Sequence, residues 1–147
     1  MSRRWIAVLA VATALAVASP ALAQVPAAVQ EALLNYLTTI APDFNSITVQ
    51  AVKARLDSGE KTFILDVREE SEFAAGRIAG AVNIPIRTLG RNLDRLPPKD
   101  AMIVVVCKSG MRAAYVTMTL NMLGWSNVKD MAFGMTEWEK QGFPVVK

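Results

Sequence analysis

Histidine is absent from this 147-residue sequence, and cysteine occurs once, as Cys107. Without imidazole there is neither the usual general base for a thiol nucleophile nor the commonest metal ligand. With a single cysteine no internal disulfide can form, so in an oxidising compartment stability has to come from packing. Any chemistry at Cys107 must therefore be activated by charge and backbone dipoles. There is no Lys/Arg-rich stripe either: the 16 basic residues are interleaved with 13 acidic ones, which excludes a nucleic-acid binding surface. Internal repeats and low-complexity tracts are also missing.

The first residues carry a different signal. Arg3 and Arg4 precede an apolar stretch from Trp5 to Ala18, and Ala21-Leu22-Ala23 supplies a small-residue cleavage site. This is the pattern of a secretory signal over residues 1–23, with the mature chain starting at Gln24. A retained membrane anchor is the competing reading, but an apolar stretch of about 14 residues is short against the ~20 needed to span a bilayer. Its length and apolarity favour the general secretory route over the twin-arginine one suggested by Arg3-Arg4. No cysteine flanks the cleavage site, so no lipid is attached there. The expectation is an exported, periplasmic protein with no stable membrane anchor after cleavage. Two of the basic residues and none of the acidic ones lie in this segment, so its removal lowers the formal net charge from +3 to +1.

The rest divides into a helical extension over residues 24–46 and one globular domain over 47–147, large enough to bury roughly two-thirds of its unfolded surface. In the extension Val29, Leu33, Leu34, Leu37 and Ile40 recur at helical spacing, which predicts a packing helix over 26–40. Thr48 is placed to cap a helix running to Asp57, and Ser58-Gly59 ends it. Strands are predicted over 62–67, 81–84, 101–106 and 128–131, and helices over 69–75, 88–96, 113–123 and 135–141. Alternation of this kind indicates a parallel α/β sheet with ligands at the C-terminal ends of its strands. Residues 101–106 are nearly continuous in apolar side chains, as a strand covered on both faces should be.

Cys107 ends that strand and opens the sequence CKSGMR, beyond which a helix begins. If Gly110 lets Lys108, Ser109, Gly110 and Met111 curl, their N–H groups form a cradle around the sulfur. Lys108 and Arg112 add positive charge, and these influences together favour thiolate over thiol. A buried free cysteine packing as a small hydrophobe is the plain alternative. Cys107 is thus the candidate nucleophile, and Lys108, Ser109, Gly110, Met111 and Arg112 are the candidate substrate-binding residues. Met111 is either an apolar rim contact or loop filling. Asp66 and Arg68, at the end of the 62–67 strand, are supporting residues: Asp66 to accept loop N–H groups or cap the helix at Glu69, Arg68 to pair with a carboxylate. Trp125, Phe133 and Trp138 are expected in the core.

Three segments in order, ILDVREESEFAAGRIAGAVNIP (Ile64 to Pro85), VVVCKSGMRA (Val104 to Ala113) and LGWSNVKDMAFGMTEW (Leu123 to Trp138), resemble the rhodanese-like sulfurtransferase family. The resemblance spans roughly Ile47 to Val146 and implies a five-stranded parallel sheet flanked by helices and a cysteine that forms a persulfide. It requires no metal or organic cofactor. Arg77 stands where the family often has histidine, away from the nucleophile, and the extension lies outside the resemblance. The implied reaction moves a sulfane sulfur from a small-molecule donor such as thiosulfate to a thiophilic acceptor through Cys107. A persulfide carrier serving a partner protein is the alternative. The related cell-cycle phosphatases place five residues between cysteine and arginine. Here only four intervene, which makes the cradle tight for a phosphate ester.

Overall fold

The computed structural model describes residues 25–147, so the predicted signal segment and its cleavage site lie outside the described residues. Five strands form one parallel sheet: β1 (Ser46–Ile47), β2 (Phe63–Asp66), β3 (Val82–Asn83), β4 (Ile103–Val106) and β5 (Val128–Met131), in the order β1-β5-β4-β2-β3. The helices are α1 (Ala27–Thr39), α2 (Val49–Asp57), α3 (Glu70–Ala75), α4 (Met111–Met122) and α5 (Gly134–Lys140). No helix of the described residues is long and apolar enough to cross a membrane.

Strand β4 sits at the centre, and all four of its residues are buried. Side chains alternate between the faces of a strand, so Ile103 and Val105 join one core cluster while Val104 and Val106 join another. The first cluster is closed by Ala113, Val116 and Leu120 of α4 with Leu89 and Trp125. The second is closed by Val49 and Val52 of α2 with Met135 and Trp138 of α5. Helices cover both faces, which is why the strand is apolar without alternation.

Thr48 caps α2 as its sequence predicts, its side-chain oxygen accepting from the Ala51 N–H at 3.2 Å. Strand β1 is absent from the residue-by-residue prediction, because two residues carry no alternation to read. Its pairing creates it: the Asp130 N–H donates to the Asn45 carbonyl and the Ala132 N–H to the Ile47 carbonyl. The helix predicted over 88–96 is instead two 3-10 stretches, Ile86–Arg91 and Leu93–Arg95. Between Pro85 and Pro97 there is little room for α-helical ladder, and Gly90 weakens what there is. The N–H of Asn92 accordingly bonds three residues back, to Leu89.

Helix α1 forms as predicted but buries none of its residues; its one half-buried side chain, Tyr36, accepts from the Asn45 amide at 3.4 Å. Val29, Leu33, Leu34 and Leu37 all face solvent.

Candidate active site

Pairing of β2 with β4 places Asp66 opposite Val106, so both strands end at the same edge and Cys107 emerges beside the Asp66–Arg68 segment. Cys107 is 1 % exposed. The chain then turns through Lys108 and Ser109 to Gly110, whose φ of +92° is open to glycine and costly for other residues. From that turn the Gly110 N–H donates to the Cys107 sulfur at 3.2 Å, and α4 starts at the next residue. The thiol therefore lies against a backbone N–H group at a helix start.

The loop is held from behind by α5. The Met135 N–H donates to the Cys107 carbonyl at 2.8 Å, and the N–H and hydroxyl of Thr136 both donate to the Lys108 carbonyl at 2.9 Å. In a trans peptide the C=O and the following N–H point in opposite directions. Committing these two carbonyls to α5 thus turns the N–H groups of Lys108 and Ser109 to the other side of the loop. Such close backbone approach depends on Gly134: a Cβ there would stand 2.2 Å from the Cys107 carbonyl oxygen and 2.8 Å from the Lys108 carbonyl. Gly110 is similarly confined, since a Cβ on it would lie 3.2 Å from the Phe133 nitrogen.

Arg112, on the first turn of α4, reaches back to α3. Its Nη1 donates to Glu72 Oε2 at 2.7 Å and its Nη2 to Glu72 Oε1 at 2.9 Å, a two-pronged ion pair. The guanidinium beside it holds the Glu72 carboxyl down at about 2, and Glu72 in turn raises the proton affinity of Arg112. Arg112 is the second residue of α4, two residues beyond the Gly110 N–H that meets the Cys107 sulfur. Two of the five N–H donors of Arg112 therefore already have a partner in Glu72.

The remaining predicted residues are distributed around the loop. Lys108 and Ser109 are exposed, and Lys108 stands 3.6 Å from Glu139 in a loose solvent-facing pair. Met111 is 66 % exposed and forms rim, not filling. Asp66 and Arg68 are 1 % and 3 % exposed at their side chains and are each other's partners: Nε and Nη2 of Arg68 donate to the Asp66 carboxylate, and Nη2 also to the Gly76 carbonyl. The Asp66 carboxylate accepts the Arg68 N–H as well. It does not cap α3. Glu69 does so, in a reciprocal capping box with Glu72. Both residues therefore form a buried pair at the end of β2.

Phe133 departs from expectation. Trp125 and Trp138 are buried, whereas Phe133 is 71 % exposed with φ +60°. Its left-handed backbone turns the chain from β5 into α5, and this swings the ring outward next to the Gly110 turn. Arg77, in the position where the family often has histidine, exchanges backbone hydrogen bonds with Val146 and lays its guanidinium 4.8 Å over the Phe73 ring.

The residues the sequence reading overlooked are Glu72 and Gly134. Glu72 is legible as an acid in the first turn of a helix, but its partner is 40 residues away; Gly134 shows only as one more glycine. A cleft of about 430 Å³ opens beside the loop, lined by Arg68, Glu72, Lys108 and Glu139 among others. Among the described residues no cluster of three or more Cys, Asp or Glu could hold a metal ion.

Comparison with known proteins agrees with this geometry. A family model described as "Rhodanese-like domain" matches residues 48–141. A protein of Allochromatium vinosum named "Sulfurtransferase" is 28 % identical over 102 residues, covering 69 % of this chain and 94 % of its own. "Thiosulfate sulfurtransferase 16, chloroplastic" of Arabidopsis thaliana is 32 % identical over 111 residues, covering 68 % and 91 %. Among solved structures, a rhodanese-related protein of Thermoplasma volcanium superposes with a TM-score of 0.63 at 34 % identity, over 69 % of this chain and 96 % of that one. A buried cysteine at the end of the central strand, the α5-braced loop after it and these matches together place the chain in the rhodanese-like domain family, with sulfur transfer as its class of chemistry.

Proposed function

We propose that the protein takes a sulfane sulfur from thiosulfate or a similar donor and holds it as a persulfide on Cys107. The observation that carries this reading is the Gly110 N–H aimed at the Cys107 sulfur, with Arg112 two residues further along at the same helix start. The thiolate attacks the outer sulfur of thiosulfate; a Cys107 S–S bond forms, the bond to the sulfonate sulfur breaks, and sulfite leaves with its electron pair. The charge passes to the terminal sulfur of the persulfide. A thiophilic acceptor such as cyanide then attacks that sulfur, leaves as thiocyanate and regenerates the thiolate. Loop N–H groups and the unpaired donors of Arg112 stabilise the incoming dianion and the terminal sulfur. Lys108 adds diffuse charge at the entrance. The thiosulfate donor is favoured by the relative named for it.

Incubation of protein covering residues 24–147 with thiosulfate should add one sulfur atom by intact-mass spectrometry, and cyanide should remove it. Cys107→Ser should add none, because its hydroxyl is a far weaker nucleophile and cannot form a persulfide. Absence of sulfur uptake by the parent protein would refute the reading. Uptake followed by negligible turnover with cyanide would mark a persulfide carrier instead. For residues 1–23 we retain the export reading: the N-terminal sequence of the exported protein should start at Gln24, and one that starts at Met1 would overturn it.

A further inference from the structure

The Glu72–Arg112 pair joins α3 to the first turn of α4 across the mouth of the Cys107 loop, and it is partly buried, with side-chain exposures of 32 % and 28 %. Three features set it apart from the surface pairs. It engages both guanidinium ends of Arg112 at once, which fixes the plane of the group and not merely its position. It leaves Nε–H and one N–H on each terminal nitrogen free of Glu72. Finally, Glu72 is itself braced, since its Oε2 accepts the Glu69 N–H at 3.1 Å. Glu72 also lines the cleft that Lys108 borders.

We propose that Glu72 is a positioning and charge-setting residue of the sulfur-transfer site: its carboxylate fixes the Arg112 guanidinium plane beside Cys107 and offsets its charge, so that a dianionic donor is held weakly enough for the equally dianionic sulfite to leave. A fully uncompensated arginine would hold donor and product alike, gaining affinity without gaining rate. With Glu72 present, the anion is bound chiefly by directed N–H groups, and the net field at the mouth is small. This rests on the reading of Cys107 and Arg112 as the donor site.

The test separates charge from reach. Glu72→Gln removes the charge but keeps the length, and glutamine can still serve the capping box. Glu72→Asp keeps the charge but draws the carboxylate back by one methylene, too far to engage both terminal nitrogens. Releasing about one unit of charge near a bound anion in a solvent-screened site corresponds to roughly a fivefold change in affinity. In Glu72→Gln, thiosulfate KM should therefore fall about fivefold, sulfite should inhibit at correspondingly lower concentration, and kcat should fall further than KM. In Glu72→Asp, KM should stay at the parent value while kcat falls. Glu60→Ala, which breaks the ion pair with Arg55 at the opposite end of the sheet from Cys107, should leave both kinetic constants unchanged. An unchanged or raised KM in a folded Glu72→Gln protein would overturn the proposal. Sulfur uptake by the parent is measured first by mass: failure there sinks the donor-site reading, whereas uptake with an unaltered Glu72→Gln KM sinks only the role of Glu72.

Discussion

Replacing Gly134 by alanine should damage the catalytic loop more than any comparable single-methyl change. At φ +57° an added Cβ is strained by about 1–2 kcal/mol. The methyl would also stand 2.2 Å from the Cys107 carbonyl oxygen, roughly 1 Å short of ordinary van der Waals contact. Its nearest neighbours are backbone atoms of Cys107 and Lys108, not the tip of a flexible side chain, so relief requires the loop to move. Forcing a methyl into packed surroundings adds about 1–3 kcal/mol. The total, about 2–5 kcal/mol, is a large share of the ~5–15 kcal/mol that stabilises a domain. The displaced atoms carry the proposed nucleophile, and a misplacement near 1 Å costs about a hundredfold in rate. Three measurements on Gly134→Ala test this: urea unfolding, the rate of Cys107 alkylation by iodoacetamide and kcat/KM for thiosulfate. Gly90→Ala is the control, since a Cβ there meets nothing within 4 Å and should shift stability by no more than about 0.5 kcal/mol. If Gly134→Ala matches Gly90→Ala in all three measurements, α5 does not brace the loop and the reasoning fails.

Other predictions follow from the ion pairs. Asp66→Ala leaves the Arg68 guanidinium buried without its carboxylate, and should lose about 3–5 kcal/mol in urea unfolding; a loss under 1 kcal/mol would show that water reaches Arg68. The Glu72 carboxyl is lowered from 4.5 to about 2 in the folded protein, chiefly by Arg112. Its contribution is thus fully present above about pH 4.5 and is lost as pH falls through about 2. After discounting for solvent screening of a pair about one-third exposed, the stability advantage of parent over Glu72→Gln should shrink by about 1–2 kcal/mol between pH 6 and pH 2. An advantage constant across that range would contradict the ion pair. Arg112→Lys keeps the charge but not the planar fork. It should lower kcat/KM for thiosulfate roughly ten- to a hundredfold, and parent-like kinetics would reduce Arg112 to a helix-start residue.

What the sequence determined by itself was the class of fold and the place of its one cysteine at the end of the central strand. Continuous apolar character over residues 103–106 is forced on a strand covered on both faces, and the switch to helical spacing after Gly110 marks the turn that presents Cys107. Absence of histidine left backbone dipoles and charged side chains as the means by which the proposed chemistry of Cys107 would have to proceed. These are local patterns, so they can be read along the chain. Tertiary structure decided the rest, because it depends on residues far apart in sequence meeting in space. Strand β1 exists only because β5 offers it partners. The fork of Arg112 is fixed by a carboxylate 40 residues earlier, and the carbonyls of Cys107 and Lys108 are turned by a helix start that only Gly134 lets come so close. Phe133 lies outside the core for the same kind of reason: its aromatic ring argued for burial, but the left-handed turn from β5 into α5 set its direction, and backbone geometry prevailed over side-chain preference.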